Sequence, residues 1–124
     1  MKVEELMVGD WVHNDLGETQ QVVELREDGA MLYYNDIYPY DDIQPIPLTP
    51  EILEKNGFVK SERFEVWKII SDKYELRITP WRFAVIFLDE DGSDKEEFSA
   101  PLPKYVHELQ HALRLYGIEK EIII

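Results

Sequence analysis

Cysteine is absent from the 124-residue chain, which removes disulfides, thiolate metal sites and thiol nucleophiles together. Basic residues are scarce: 13 Lys and Arg stand against 26 Asp and Glu, a formal charge of −13. So negative a chain opposes the counterion release that supplies most affinity for nucleic acid, and it is repelled by anionic lipid for the same reason. Long apolar runs are missing too. The longest, Phe83–Leu88 and Ile122–Ile124, fall far short of the ~20 residues a spanning helix needs. The opening Met1-Lys2-Val3-Glu4-Glu5 places acids where a signal peptide carries a basic segment and then an apolar core. The expectation is a cytoplasmic protein with no membrane contact and no direct nucleic-acid ligand. What is plentiful is core material: 44% of residues are hydrophobic and 12% aromatic, enough for a folded domain.

Period-two patterning dominates the first third. Trp11-Val12-His13, Gln20–Arg26 and Met31–Tyr34 read as a meander of about three strands, with a tight turn at Glu27-Asp28-Gly29. Entered through Val8-Gly9-Asp10-Trp11-Val12, it predicts an SH3-like small β-barrel or meander. Pro45-Ile46-Pro47-Leu48 cannot form a central strand, because proline donates no ladder hydrogen bond, and is expected to be an extended surface connector. Thr49 as N-cap, Pro50 at the first helical position and Gly57 at the end predict a helix over about 50–56, with Ile52 and Leu53 facing the core.

Alternation then returns in residues 64–69 and 74–79, followed by the nearly continuous apolar run Trp81–Leu88, which suits a central strand covered on both faces. Asp91-Gly92 turns the chain into a strand ending near Phe98. A second helix is expected from about Lys104 to Tyr116, and the tail Glu121–Ile124 is apolar enough for a last strand or for docking. The fold class is therefore α+β: an SH3-like segment over residues 1–46, then helix, antiparallel sheet and a covering C-terminal helix over residues 47–124, the two packed as one unit.

The sharpest chemical string is His107-Glu108-Leu109-Gln110-His111, the H-E-x-x-H pattern in which two histidines one helical turn apart bind zinc and the glutamate activates water. Its context departs from the extended pattern, since Arg114 and Gly117 stand where glycine and histidine belong. Glu119, Glu121 and the distant His13 are the remaining candidates for a third ligand. On a helix turning ~100° per residue, His107 and His111 lie opposite the stripe of Val106, Leu109, Leu113 and Tyr116, and are expected to face solvent.

Two acidic segments also stand out. Asp89–Asp94 superficially resembles a calcium loop, but Asp94 occupies the place where an EF-hand has glycine, so a solvated turn is expected. Residues 33–42 interleave Tyr33, Tyr34, Tyr38 and Tyr40 with Asp36, Asp41 and Asp42. Tyrosine gives rigid contact area with a polar tip, so Tyr33, Tyr34, Tyr38, Tyr40, Asp41 and Asp42 are the candidate binding residues.

The strings Pro45-Ile46-Pro47-Leu48-Thr49, with Glu51, Leu53, Gly57 and Phe58 at their spacing, and Tyr105–Gln110 resemble a family of small uncharacterised proteins of gut anaerobic bacteria and their phages or mobile elements. The resemblance implies no activity. It does imply that an asparagine often replaces the residue at the position of His111, which removes a zinc ligand. Together these features predict a non-enzymatic acidic module that needs no cofactor. It would bind a basic partner protein and, in a mobile-element setting, inhibit a nucleic-acid-binding host protein by offering carboxylates in place of phosphates. Two alternatives stand beside it: a zinc hydrolase with His107 and His111 as ligands and Glu108 as general base, and a homodimeric structural module.

Overall fold

The computed structural model describes residues 1–32, 36–91 and 93–124. Among the described residues the fold is α+β, with two five-stranded antiparallel sheets and two α-helices. It divides into two compact units: Met1–Leu48 with Lys104–Ile122 and Ile124, and Thr49–Pro103 with Ile123.

In the first unit β1 (Trp11–His13), β2 (Thr19–Leu25), β3 (Ala30–Leu32), β4 (Ile37–Tyr38) and β5 (Gln44–Pro45) form a sheet of order β4-β3-β2-β1-β5. The expected SH3-like barrel does not form. Its two edges, β4 and β5, are two residues long and do not pair, and Pro45 in β5 has no N–H to offer, so the sheet stays open. Pro45 is nonetheless part of an edge strand and not simply a surface connector, pairing with Val12, while Ile46 behind it is buried. Leu6, Val12, Val22, Ala30, Leu32 and Ile43 make the core of this sheet. The β2–β3 turn needs Gly29, because a Cβ there would run into the Tyr38 carbonyl on β4.

The C-terminal helix groups with this same unit. Its chain enters beside the proline segment, where Leu48 donates to the Lys104 carbonyl and Val106 to the Ile46 carbonyl at 3.0 and 2.9 Å. Past the helix the tail forms no strand; it docks, with Ile118 and Ile122 buried and the Trp11 indole donating to the Ile122 carbonyl at 2.7 Å.

In the second unit α1 (Pro50–Lys55) begins as the sequence predicts, Thr49 Oγ1 accepting from Ile52 N at 3.3 Å, and ends at Gly57. Leu53 and Phe58 are buried. The sheet then runs β6 (Val59–Lys60), β7 (Trp67–Ile70), β8 (Tyr74–Ile78), β9 (Phe83–Leu88) and β10 (Asp94–Ala100), in sequential order. Phe83, Ala84, Val85 and Ile86 of β9 are all buried, as a strand covered on both faces requires. Trp81 does not belong to that strand. It sits in the Thr79–Arg82 turn, whose amides at Trp81 and Arg82 bond back to Thr79 Oγ1, and it is 87% exposed.

Candidate functional site

The second helix, α2 (Val106–Leu115), carries the H-E-x-x-H string, and its histidines do not face solvent as expected. His107 is only 5% exposed and His111 is half-buried. The apolar stripe was located correctly by Val106, Leu109 and Leu113, but the buried arc is widened by polar contacts to the segment before β1. Gln110 Oε1 accepts from Trp11 N at 2.9 Å and its Nε2 donates to the Gly9 carbonyl at 3.0 Å. Alongside, His111 Nε2 meets Asp10 Oδ2 at 2.6 Å, and Arg114 donates to Asp10 Oδ1 at 3.1 Å. Asp10 itself is fully buried and also accepts from Met7 N at 2.8 Å.

Each member of the motif therefore has an internal task. Glu108 Oε1 accepts from Lys104 N and Tyr105 N at 2.9 and 3.1 Å, capping the helix. The Nε2 atom of His111 is engaged by a carboxylate. His107 stacks on Tyr105 with ring centroids 5.9 Å apart, and its buried Nδ1 has no hydrogen-bond partner among the described residues. Burial pushes its imidazole below the ordinary histidine range; the nearby Asp10 charge acts in the opposite direction. Among the described residues no group of three or more His, Asp and Glu is placed to hold a metal ion. The residues do not fit a zinc centre. Glu119 and Glu121 lie in the tail beyond the helix and His13 on β1, and none of them completes such a group.

The tyrosine and aspartate segment divides. Tyr33 and Tyr34 lie outside the described residues. Tyr38 and Tyr40 are half-buried against the first core; the Tyr38 hydroxyl accepts from Asn14 Nδ2 at 3.4 Å and the Tyr40 hydroxyl donates to the Arg26 carbonyl. Asp36, Asp41 and Asp42 are exposed, the last two in a 3-10 turn, Tyr40–Asp42. The N-terminal ammonium donates to the Tyr40 and Ile43 carbonyls at 2.7 and 2.9 Å. The Tyr40 hydroxyl bond to the Arg26 carbonyl draws two acidic segments together, the β2–β3 turn and the 3-10 turn Tyr40–Asp42, while Glu5 of the 3-10 turn Val3–Glu5 lies within charge range of His107. Glu27, Asp28, Asp41 and Asp42 are all exposed.

Residues 1–48 hold eleven acids and two bases, Lys2 and Arg26, so nine of the thirteen net negative charges belong to the sheet-forming part of the first unit. Only Asp10 among those eleven is buried. Gly92 of the expected Asp91-Gly92 turn lies outside the described residues; at exposed Asp91, Ser93 donates to Oδ1 from both N and Oγ, at 3.0 and 2.6 Å, which holds that carboxyl below the usual range.

No family model, curated protein or solved structure matches the chain. Among the described residues no helix is long and apolar enough to cross a membrane. The residues that sequence reasoning missed are Asp10, Gln110 and Arg114. Their only signal was an isolated Asp between Gly9 and Trp11 and, on the helix, Gln110 and Arg114 beside histidines expected to face solvent.

Proposed function

We propose that the chain is a non-enzymatic acidic module that docks a basic surface of a partner protein through the carboxylate-rich end of its first unit. The observation that carries this reading is the approach of Glu27 and Asp28 to Asp41 and Asp42 through the Tyr40–Arg26 bond, all four exposed, with Lys2 and Arg26 the sole bases in the first 48 residues. Clustered charge of one sign steers encounter with an oppositely charged surface and sets its specificity. The occupation of Glu108 and His111 by structural hydrogen bonds favours binding over hydrolysis. A nucleic-acid-binding protein is the partner of matching chemistry, because its phosphate-binding groove presents the Lys and Arg that such carboxylates would satisfy. The resemblance to small mobile-element proteins is in keeping with an inhibitor of that kind, working in the cytoplasm.

The test is a pull-down from bacterial lysate at low and high salt, with duplex DNA as competitor, comparing the wild type with a variant carrying Glu27→Gln, Asp28→Asn, Asp41→Asn and Asp42→Asn. Basic nucleic-acid-binding proteins should be retained at ~50 mM salt and released at ~300 mM, where the Debye length is short. They should be displaced by DNA and lost from the variant. Equal retention by the neutralised variant would overturn the proposal.

A further inference from the structure

The outer edge of the second sheet is incomplete. β6 covers two residues of β7, pairing Val59 with Lys68 and Lys60 with Trp67. The hydrogen bond from Ser61 N to the Val66 carbonyl, 2.9 Å, sets the alternation: the Val66 carbonyl, and the main-chain N–H and C=O of Lys68 and Ile70, turn toward β6, while Val66 N donates to the Phe64 carbonyl at 2.8 Å. Trp67, Ile69 and Ser71 turn toward β8, in register with the bond from Ser71 N to the Tyr74 carbonyl at 2.8 Å. By this register the place opposite Ile70 falls to Gly57. Gly57, however, stands at φ +90° and donates to the Glu54 carbonyl at 3.1 Å, and Phe58 donates to the Leu53 carbonyl at 3.0 Å, so the chain has left the sheet to close α1. The outward N–H and C=O of Ile70 have no partner among the described residues.

A groove of about 500 Å³ opens at this place, lined by Gly57, Val59, Lys60, Lys68, Ile69 and Ile70. Val59 is 71% and Ile70 66% exposed, which gives it apolar walls. Neither Lys60 nor Lys68 forms an ion pair with a described residue, although acids outnumber bases two to one in the chain.

We propose that this groove takes an extended segment of a partner protein in which apolar and carboxylate side chains alternate, added as a strand beside Ile70. The unpaired N–H and C=O call for a main chain in extended form, since only that supplies an acceptor and a donor at strand spacing. By the same register Val59, Lys68 and Ile70 share one face and Lys60 lies on the other, so Val59 and Ile70 take the apolar side chain, the Lys60 ammonium meets the carboxylates on the opposite face, and Lys68 adds positive charge at the rim. The chain's own acidic and apolar tail is not free to serve in a second copy, because Ile123 donates to Asn56 Oδ1 and accepts from Asn56 Nδ2, both at 2.8 Å. This site is independent of the acidic end of the first unit and has the opposite charge preference.

The test uses the full chain and a fluorescein-labelled peptide, Glu-Ile-Glu-Ile-Glu, read by anisotropy and by amide chemical-shift mapping. Binding should shift the Ile70 amide, weaken by about tenfold or more in the double variant Lys60→Glu, Lys68→Glu, and vanish both for a peptide with lysine in place of glutamate and for one N-methylated throughout. The proposal is overturned if the acidic peptide fails to bind up to ~1 mM, if the N-methylated peptide binds equally well, or if the shifts map elsewhere. Sedimentation velocity completes it: a concentration-dependent dimer abolished by the same charge reversal would assign the edge to a second copy instead.

Discussion

Asp10 and His111 are 101 residues apart in sequence and meet at 2.6 Å between Oδ2 and Nε2. The contact fastens the last helix to the turn that leads into β1, and it explains how a carboxylate with no exposed surface is tolerated in the first unit. Asp10 receives three donors or near donors, Met7 N, Arg114 and the imidazole, so burial leaves it solvated by the protein.

Replacing Asp10 therefore removes the acceptor on which three groups converge. Asp10→Ala should destabilise the chain by about 2–4 kcal/mol, and Asp10→Asn by less, since its amide oxygen can still accept. Equilibrium urea unfolding at neutral pH measures both; a loss within experimental error for Asp10→Ala would show that the cluster is incidental.

The pH dependence follows from His107. Its imidazole is held below the ordinary range by burial, so the unfolded chain takes up the proton more readily than the folded one. The stability contribution of the neutral ring is complete above the unfolded value of ~6.5 and is lost as pH falls from there through the depressed folded value. Thermal midpoints between pH 8 and 5 should drop more steeply for the wild type than for His107→Phe, whose aromatic ring keeps the stacking position beside Tyr105 without titrating. Parallel pH profiles would exclude His107 as the source.

Much of this architecture was legible from local chemistry. Thr49, Pro50 and Gly57 announced α1, and the run Phe83–Ile86 announced a strand buried on both faces. What escaped was decided by distant partners. His107 and His111 looked like a solvated face because helical periodicity counts apolar residues and does not register that a main chain a hundred positions away needs the donor and acceptor of Gln110. Barrel closure failed similarly: three strands were read correctly from alternation, yet closure depends on the length of edges that hold only two residues each. Trp81 shows the converse error, since an apolar run continued by eye into a turn whose conformation is set by the Thr79 hydroxyl.

Glu108 separates a structural from a metal-binding origin of the H-E-x-x-H string. As a helix cap it should contribute about 1 kcal/mol, so Glu108→Ala lowers stability by that amount with or without zinc. Zinc at ~100 μM should leave the wild-type thermal midpoint unchanged, because a folded-state ligand raises it in proportion to ln(1 + [L]/Kd). A clear upward shift that disappears in His111→Ala would reinstate the metal reading.

Gln110 offers the most local test of how α2 is held. Its amide is matched to two main-chain groups, accepting from Trp11 N and donating to the Gly9 carbonyl, and both contacts are shielded. Gln110→Ala strands the Trp11 donor, while the Gly9 carbonyl keeps Gln21 Nε2 at 3.1 Å, and should cost about 1–3 kcal/mol. Gln110→Glu separates the two bonds: at neutral pH a carboxylate still accepts from Trp11 but repels the Gly9 carbonyl, so the variant is destabilised. As pH falls and the carboxyl gains a proton, the second hydrogen bond returns, and the deficit relative to wild type should shrink. Urea midpoints at pH 7 and pH 5 measure the recovery, and hydrogen exchange at the Trp11 amide should be fast in the alanine variant and slow in the glutamate one. Equal exchange in both would mean that Trp11 N finds its acceptor elsewhere.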